Sequence, residues 1–353
     1  MLNTIRVQNF RSYKDDSFEF DDSVNIIVGP NASGKTNLLE AILMICAGKS
    51  YRAKDQETIK YGRPWARIEA YTPNANRILK LINNPAGSVE KNLTINDQIS
   101  RRITQPKQLA VVLFEPNHLQ LFLRGPEARR DYLDDLLEQT VVGYGSLRQQ
   151  YKRALAQRNR LLKQHPTDVR QQLFAWNVRL SELGGHIVTE RQKLVATIDQ
   201  KLPKLYNKLA NSRAKVRASY DSKVPLNQYS SQFLHKLDAS VELDLERGFT
   251  AYGPHRDDLK ITFAGHDIQD SASRGEIRTL LLALKIIELD IVEKRYEQRP
   301  ILLLDDVFSE LDGARRRALT NFLQDYQTFI TTTDADVVVQ HFTGNSRIIP
   351  LVK

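Results

Sequence analysis

Hydrophobic and polar positions change their period several times along this chain. Leu2, Ile5, Val7 and Phe10, followed by Phe18 and Phe20, read as an opening hairpin. Val24, Ile26, Ile27 and Val28 form a short apolar run, the pattern of a buried strand. Leu38, Leu39, Ala41, Ile42, Leu43 and Ile45 then recur at helical spacing. Residues 66–71 and 78–82 alternate with period two, as half-buried antiparallel strands do, and the turn formers of Asn83-Asn84-Pro85-Ala86-Gly87 lie between strands. Residues 110–114 make another buried strand. After Pro126 the period becomes helical at Leu133, Leu136 and Leu137. Leu173, Trp176, Leu180, Leu183 and Ile187 form a seam of about two heptads, short of the three or four a coiled coil needs. Pro166 and Pro203 predict helix breaks. Strand patterning returns at Val216, Ala218 and Tyr220, and again over 259–263. The pattern predicts an α/β head over 1–125 and 211–353, interrupted by a small helical bundle or arm over 126–210.

Charge sharpens that division. The 353 residues carry a net charge of +9. Between Val141 and Tyr220 there are 16 Lys/Arg against 4 Asp/Glu, a net of +12, so the remainder carries −3. A basic module on a near-neutral body fits a polyanion, nucleic acid first, although a solvated helical surface has the same composition. Lys152, Arg153, Arg158 and Arg160 fall in one predicted helix and are candidate DNA contacts. Hydrophobic residues make up 41% of the chain, yet no apolar run approaches the eighteen or so residues of a spanning helix. Met1–Val7 has no signal-peptide core. The lone cysteine, Cys46, lies in an apolar stripe and reads as a small core residue. These features predict a protein of the reducing cytoplasm.

Candidate chemistry sits where strand gives way to helix. Between the run at 24–28 and the helical pattern from Leu38 lies Gly29-Pro30-Asn31-Ala32-Ser33-Gly34-Lys35-Thr36, the phosphate-binding loop pattern. In that setting backbone N–H groups of the loop and the helix N-terminus converge on one place, which favours a polyphosphate. Lys35 is expected to reach the β- and γ-phosphates of ATP, and the Thr36 hydroxyl to ligate Mg2+. Near the other end, Ile301–Leu304 reads as a strand of a parallel sheet, with Asp305 and Asp306 at its C-terminal end, where open α/β sheets place their chemistry. Asp305 suits the Mg2+ shell and Asp306 suits orienting or deprotonating an attacking water. A third constellation, Ser273-Arg274-Gly275-Glu276, opens a long apolar helix and makes an anion-ready helix N-terminus; taken alone, it reads first as a plain N-cap.

The order of these motifs, with Ser309-Glu310-Leu311-Asp312 directly after the carboxylate strand, resembles the ATP-binding-cassette ATPases. The Gly34–Ile42 stretch looks like their chromosome-maintenance branch. Asn9-Phe10-Arg11-Ser12-Tyr13, Gly253-Pro254-His255-Arg256-Asp257-Asp258-Leu259 and Leu303–Asp312 narrow the resemblance to the DNA replication and repair members of that branch. It runs from about Thr4 to Asp334. The resemblance implies an ATPase head with a phosphate-binding loop, a mixed sheet and an antiparallel β subdomain, carrying an inserted helical arm. It implies that Ser273, Arg274, Gly275 and Glu276 form a signature completing the ATP site of a second copy, with Asp312 at the dimer seam. Thr333 stands where transporter relatives carry a γ-phosphate-sensing histidine, so slow hydrolysis is expected. Partners implied are gapped, junction or duplex DNA, RecR- and RecO-type repair proteins, and a second copy joined by ATP.

Two departures bear on turnover. Glu276 replaces the family's usual glutamine, and an acid near phosphate is unfavourable unless it points away or pairs with Arg274 or Arg278. Phe114-Glu115-Pro116-Asn117-His118 replaces the usual Phe-Ser-Pro-Glu-Asp, so the glutamine sensing loop has no clear position. His255, in a Gly-Pro turn, is read as structural or nucleotide-proximal; the seven histidines show no metal spacing. Of the competing classes, a transporter-type ATPase has no use for a basic arm, and a chromosome scaffold needs coils of hundreds of residues. An ATP-sensing scaffold with incidental hydrolysis remains open.

Overall fold

The computed structural model describes residues 1–353 apart from 85, 86, 102, 104–106, 335–337, 339, 341, 343–345, 352 and 353. The chain divides into two compact units, Met1–Leu119 with Glu288–Lys353, and Gln120–Ile287.

The first unit opens with β1 (Thr4–Phe10), β2 (Tyr13–Glu19), β3 (Val24–Val28), α1 (Lys35–Ala47) and the short α2 (Asp55–Thr58). It continues with β4 (Trp65–Thr72), β5 (Ala75–Asn83), β6 (Val89–Ile95), β7 (Gln98–Ser100) and β8 (Val111–Phe114). The expected hairpin forms, and the period-two segments become β4 and β5 of an antiparallel sheet ordered β2-β1-β4-β5-β6-β7. α1 packs against strands of this sheet on one side and of a parallel sheet on the other. Ten of its thirteen residues are therefore buried, Cys46 among them, and the helix is apolar nearly all round.

The second unit holds α3 (Pro126–Thr140), α4 (Tyr144–Gln164) and α5 (Val169–Ala210). These are followed by β9 (Val216–Asp221), α6 (Tyr229–Ala239), α7 (Val241–Arg247), β10 (Asp258–Phe263), β11 (His266–Asp267) and α8 (Ile268–Ser271). The heptad positions Leu173, Leu180, Leu183 and Ile187 are buried on α5. The break expected at Pro166 falls between α4 and α5. The one expected at Pro203 does not occur, and α5 continues through it to Ala210. A proline costs a helix one hydrogen bond, and here burial of Leu202 and of Tyr206, edge-on to Phe263, offsets it. The expected arm, 126–210, lies inside this unit, which also takes in 211–287: β9 packs on α5, and β11-β10-β9 form their own small sheet.

α9 (Arg274–Tyr296) carries the chain back to the first unit and to β12 (Ile301–Asp305), α10 (Val307–Glu310), α11 (Gly313–Leu323), β13 (Thr328–Thr332) and β14 (Ser346–Pro350). The order β14-β3-β13-β12-β8 is parallel throughout, so the C-terminal ends of β3, β12 and β13 share one edge. No helix among the described residues is long and apolar enough to cross a membrane.

Candidate functional site

At that edge the chain turns from β3 into α1. Ala32 and Gly34 adopt left-handed backbone, φ 65° and 104°, the alternation that turns successive N–H groups into an anion-binding concavity. Gly34 is required twice over: its φ is hard for other residues, and a Cβ there would lie 2.9 Å from the Tyr13 hydroxyl. That hydroxyl donates to the Gly34 carbonyl at 3.0 Å. Gly29 leaves no room either, since a Cβ would meet the Leu351 carbonyl at 2.6 Å. Lys35 arches back over the loop, its Nζ donating to the carbonyls of Gly29 at 2.7 Å and Pro30 at 3.0 Å. Pro30, Asn31 and Ala32 are exposed at the tip and Ser33 is half-buried.

Asp305 ends β12, is buried, and pairs in register with Thr331 of β13. Three hydroxyls converge on its carboxylate. Thr36 donates to Oδ1 at 3.0 Å, Thr331 to Oδ1 at 2.8 Å and Tyr51 to Oδ2 at 3.0 Å. The pairing of Thr36 with Asp305 joins residues 269 positions apart. Neither Tyr51 nor Thr331 was expected. Thr331 is one of three consecutive threonines, and strand register alone selects it; Tyr51 belongs to no motif. Asp306 follows with φ 51°, its N–H donating to the Thr331 hydroxyl at 2.9 Å. Thr333 is exposed just beyond β13. The donor set fits Mg2+: one carboxylate and one hydroxyl, hard oxygens beside a phosphate cradle, with no cluster of three or more His, Cys, Asp or Glu among the described residues.

Behind the loop, Glu40 of α1 is fully buried and accepts from Arg11 at 2.8 Å to each oxygen, from Arg52 Nη2 at 2.8 Å and from Ser50 at 2.5 Å. Burial alone would raise its carboxyl, but these hydrogen bonds outweigh that and hold it below the ordinary glutamate value.

The signature residues lie in the second unit, at the start of α9. The Ser273 N–H donates to Glu276 Oε2 at 2.7 Å, and the Glu276 N–H reaches the Ser273 hydroxyl at 3.3 Å. This is a capping box. Glu276 thus turns back on the helix end, which accounts for an acid at this position. Arg274 is exposed and Gly275 half-buried. Asp312 is exposed and caps α11, accepting from the Arg315 N–H at 3.0 Å; that bond and the Arg315 side chain keep its carboxyl below the usual range.

The basic helix is α4. Lys152, Arg153 and Arg160 are exposed, as a DNA contact requires. Arg158 is not: it is fully buried, bonded at 2.7 Å to each of Asp244, Thr250 and Asn177. Arg158 therefore holds the unit together and is withdrawn from the candidate DNA surface. His255 is also structural. Its Nδ1 lies 2.8 Å from the Tyr151 hydroxyl and its Nε2 3.1 Å from the Thr250 carbonyl, and burial lowers its pKa to about 4.

The RecF/RecN/SMC N terminal domain family matches residues 1–349. The DNA replication and repair protein RecF of Acetivibrio thermocellus is 32% identical over 359 residues, 99% of this chain and 97% of the relative. That of Halothermothrix orenii is 34% identical over 346 residues, covering 94% and 92%. A solved recombination mediator protein RecF–ATPrS of the RecFOR pathway superposes with a TM-score of 0.88 at 30% identity, covering 99% of this chain and 96% of that one. An Smc head bound to the C-winged helix domain of ScpA shares the fold, with a TM-score of 0.53 at 15% identity over 96% and 91%.

Proposed function

This chain belongs to the RecF/RecN/SMC N-terminal-domain family, among its RecF members, and from that premise we propose that it is an ATP-switched DNA-binding protein of replication and recombinational repair. The observation that carries the chemistry is the meeting of Thr36 and Asp305 at the mouth of the phosphate-binding loop. The concavity at 29–36 binds the phosphates of ATP and Lys35 neutralises them. Thr36 and Asp305 would hold Mg2+, which would supply positive charge to the phosphate oxygens. Asp306 orients the attacking water and accepts its proton. Ser273 and Gly275 of a second copy complete the site, with Asp312 at the seam, so that ATP joins two copies head to tail. Thr333 can hydrogen-bond a phosphate but carries no charge, which suits slow hydrolysis. The exposed cations of α4 contact duplex, gapped or junction DNA, and RecO- and RecR-type proteins are the partners, in the cytoplasm.

Sedimentation of wild type and Lys35→Met, with and without ATP, Mg2+ and a gapped duplex, tests the switch. ATP is expected to convert wild-type monomer to dimer and tighten DNA binding, and to do neither in the variant. A mass and DNA affinity indifferent to ATP would overturn the head-to-tail mechanism. Asp306→Asn separates an enzyme-driven cycle, which traps as a dimer on DNA, from a passive ATP-sensing scaffold, which behaves as wild type.

A further inference from the structure

We propose that Tyr51 is a positioning residue for the metal-and-phosphate end of this site, its hydroxyl fixing the Asp305 carboxylate against the frame of α1. The inference rests on the ATP reading above. Thr36 and Glu40 are four residues apart on α1 and so lie on one face of a rigid helix. Both neighbours of Tyr51 are pinned to that same Glu40: Ser50 donates to Oε1 at 2.5 Å, and Arg52 donates to Oε2 at 2.8 Å and to Asn37 Oδ1 at 2.5 Å. The Ser50 hydroxyl also accepts from the N–H groups of Arg52 and Ala53, each at 3.1 Å, which closes the strap into a tight turn.

Tyr51 extends that frame to another element. Asp305 comes from β12, and its Oδ1 is taken by Thr36 and Thr331. Among the described residues, Tyr51 is the one donor to Oδ2. A carboxylate held at one oxygen rotates about its terminal bond; held at both, it does not. A small cation with strict octahedral geometry needs its hydroxyl and carboxylate ligands at a fixed separation, and here those ligands belong to different elements. The strap supplies that separation.

The test is Mg2+ titration of binding of a fluorescent ATP analogue to the full chain, with thermal unfolding alongside. Tyr51→Phe keeps the ring and removes the hydroxyl. The half-saturating Mg2+ concentration is expected to rise by about tenfold or more, the usual effect of losing an outer-shell partner, with the melting temperature and the Mg2+-free affinity unchanged. An unshifted midpoint overturns the proposal. Tyr51→Leu, which also loses the ring, is expected to show the same shift together with lower stability. If Leu moves the midpoint and Phe does not, ring packing is responsible and the hydroxyl has no positioning role. If the wild-type chain binds the analogue without regard to Mg2+, the ATP·Mg2+ reading fails first, and this inference with it.

Discussion

Arg158 separates a structural from a DNA-binding role for the basic helix. Its guanidinium and the Asp244 carboxylate are both fully buried and 2.7 Å apart, and Asn177 on α5 and Thr250 complete the set. Arg158→Ala strands the buried Asp244 carboxyl group without its cation, with, among the described residues, only the Ala251 N–H at 3.0 Å and the Ser240 hydroxyl at 3.4 Å to compensate. Breaking such a pair costs about 3–5 kcal/mol. Against the roughly 5–15 kcal/mol that holds a typical domain, that loss populates the unfolded unit in modest urea. Trp176 lies on α5 and Trp65 on β4, so in a Trp65→Phe background fluorescence reports the second unit. Urea unfolding followed this way should show a midpoint shifted down with little change in slope. Arg158→Met with Asp244→Leu removes both charges and should recover most of the loss. A loss below about 1 kcal/mol for Arg158→Ala would refute the burial argument. So would a fully folded variant whose DNA affinity falls as it does when an exposed cation is removed.

Three further outcomes follow from the same structure. Lys152→Glu with Arg160→Glu should leave urea stability intact and lower the slope of log affinity against log salt by about 2, roughly 0.9 for each phosphate no longer neutralised; an unchanged slope would remove α4 from the DNA surface. Gly34→Ala must hold alanine at φ 104° beside the Tyr13 hydroxyl, and should weaken nucleotide binding by about 1–3 kcal/mol, read by titration with a fluorescent ATP analogue. Burial raises the Asp257 carboxyl from 3.8 to about 6 and lowers the His255 imidazole from 6.5 to about 4. The folded state binds the Asp257 proton more tightly than the unfolded, so that group's stabilisation is lost as pH rises through 6. It binds the His255 proton less tightly, so that contribution is lost as pH falls from 6.5 towards 4. The two offset each other between pH 4 and 6. His255→Gln should therefore make stability fall with rising pH across that window, and Asp257→Asn should make it rise, each by up to about 3 kcal/mol, in unfolding titrations at pH 4.5 and 6.5.

What the sequence could disclose depended on how far apart the interacting residues lie. The glycine loop, the hairpin and β12 were readable because their signals are local: a φ as large as that of Gly34 favours glycine, and a buried parallel strand needs an unbroken apolar run. The capping box at Ser273 and Glu276 was also there to be read, as Ser-x-x-Glu before an apolar helix. Arg158 had a signal that its charge concealed. Tyr144, Tyr151, Ala154, Arg158 and Leu162 are the buried positions along α4, and their spacing of 7, 3, 4 and 4 is a helical seam. A cation inside such a seam faces the core and must be paired there. Pro203 misled in the opposite sense, because packing on both sides overrode a local rule. The boundary of the second unit was beyond reach: an alternating strand announces one buried face without saying which neighbour buries it, and β9 and β10 found theirs on the helices.

The sequence pointed to Thr36 and Asp305 but concealed Thr331 and Tyr51, because no single segment owns the cluster they form. Asp305, Thr36, Thr331 and Tyr51 come from a strand end, a helix start, the adjacent strand and a strap, and nothing in any one of them requires the others. Sheet register delivers Thr331, because β12 and β13 pair Asp305 with it. Glu40 delivers Tyr51, because its carboxylate is buried with three donors already committed to it. A motif therefore specifies which atoms meet the ligand, and the fold's long-range pairings specify how firmly they are held. On that argument, variants of Tyr51 and Thr331 should alter the metal dependence of nucleotide binding while leaving every residue of the recognisable motifs in place.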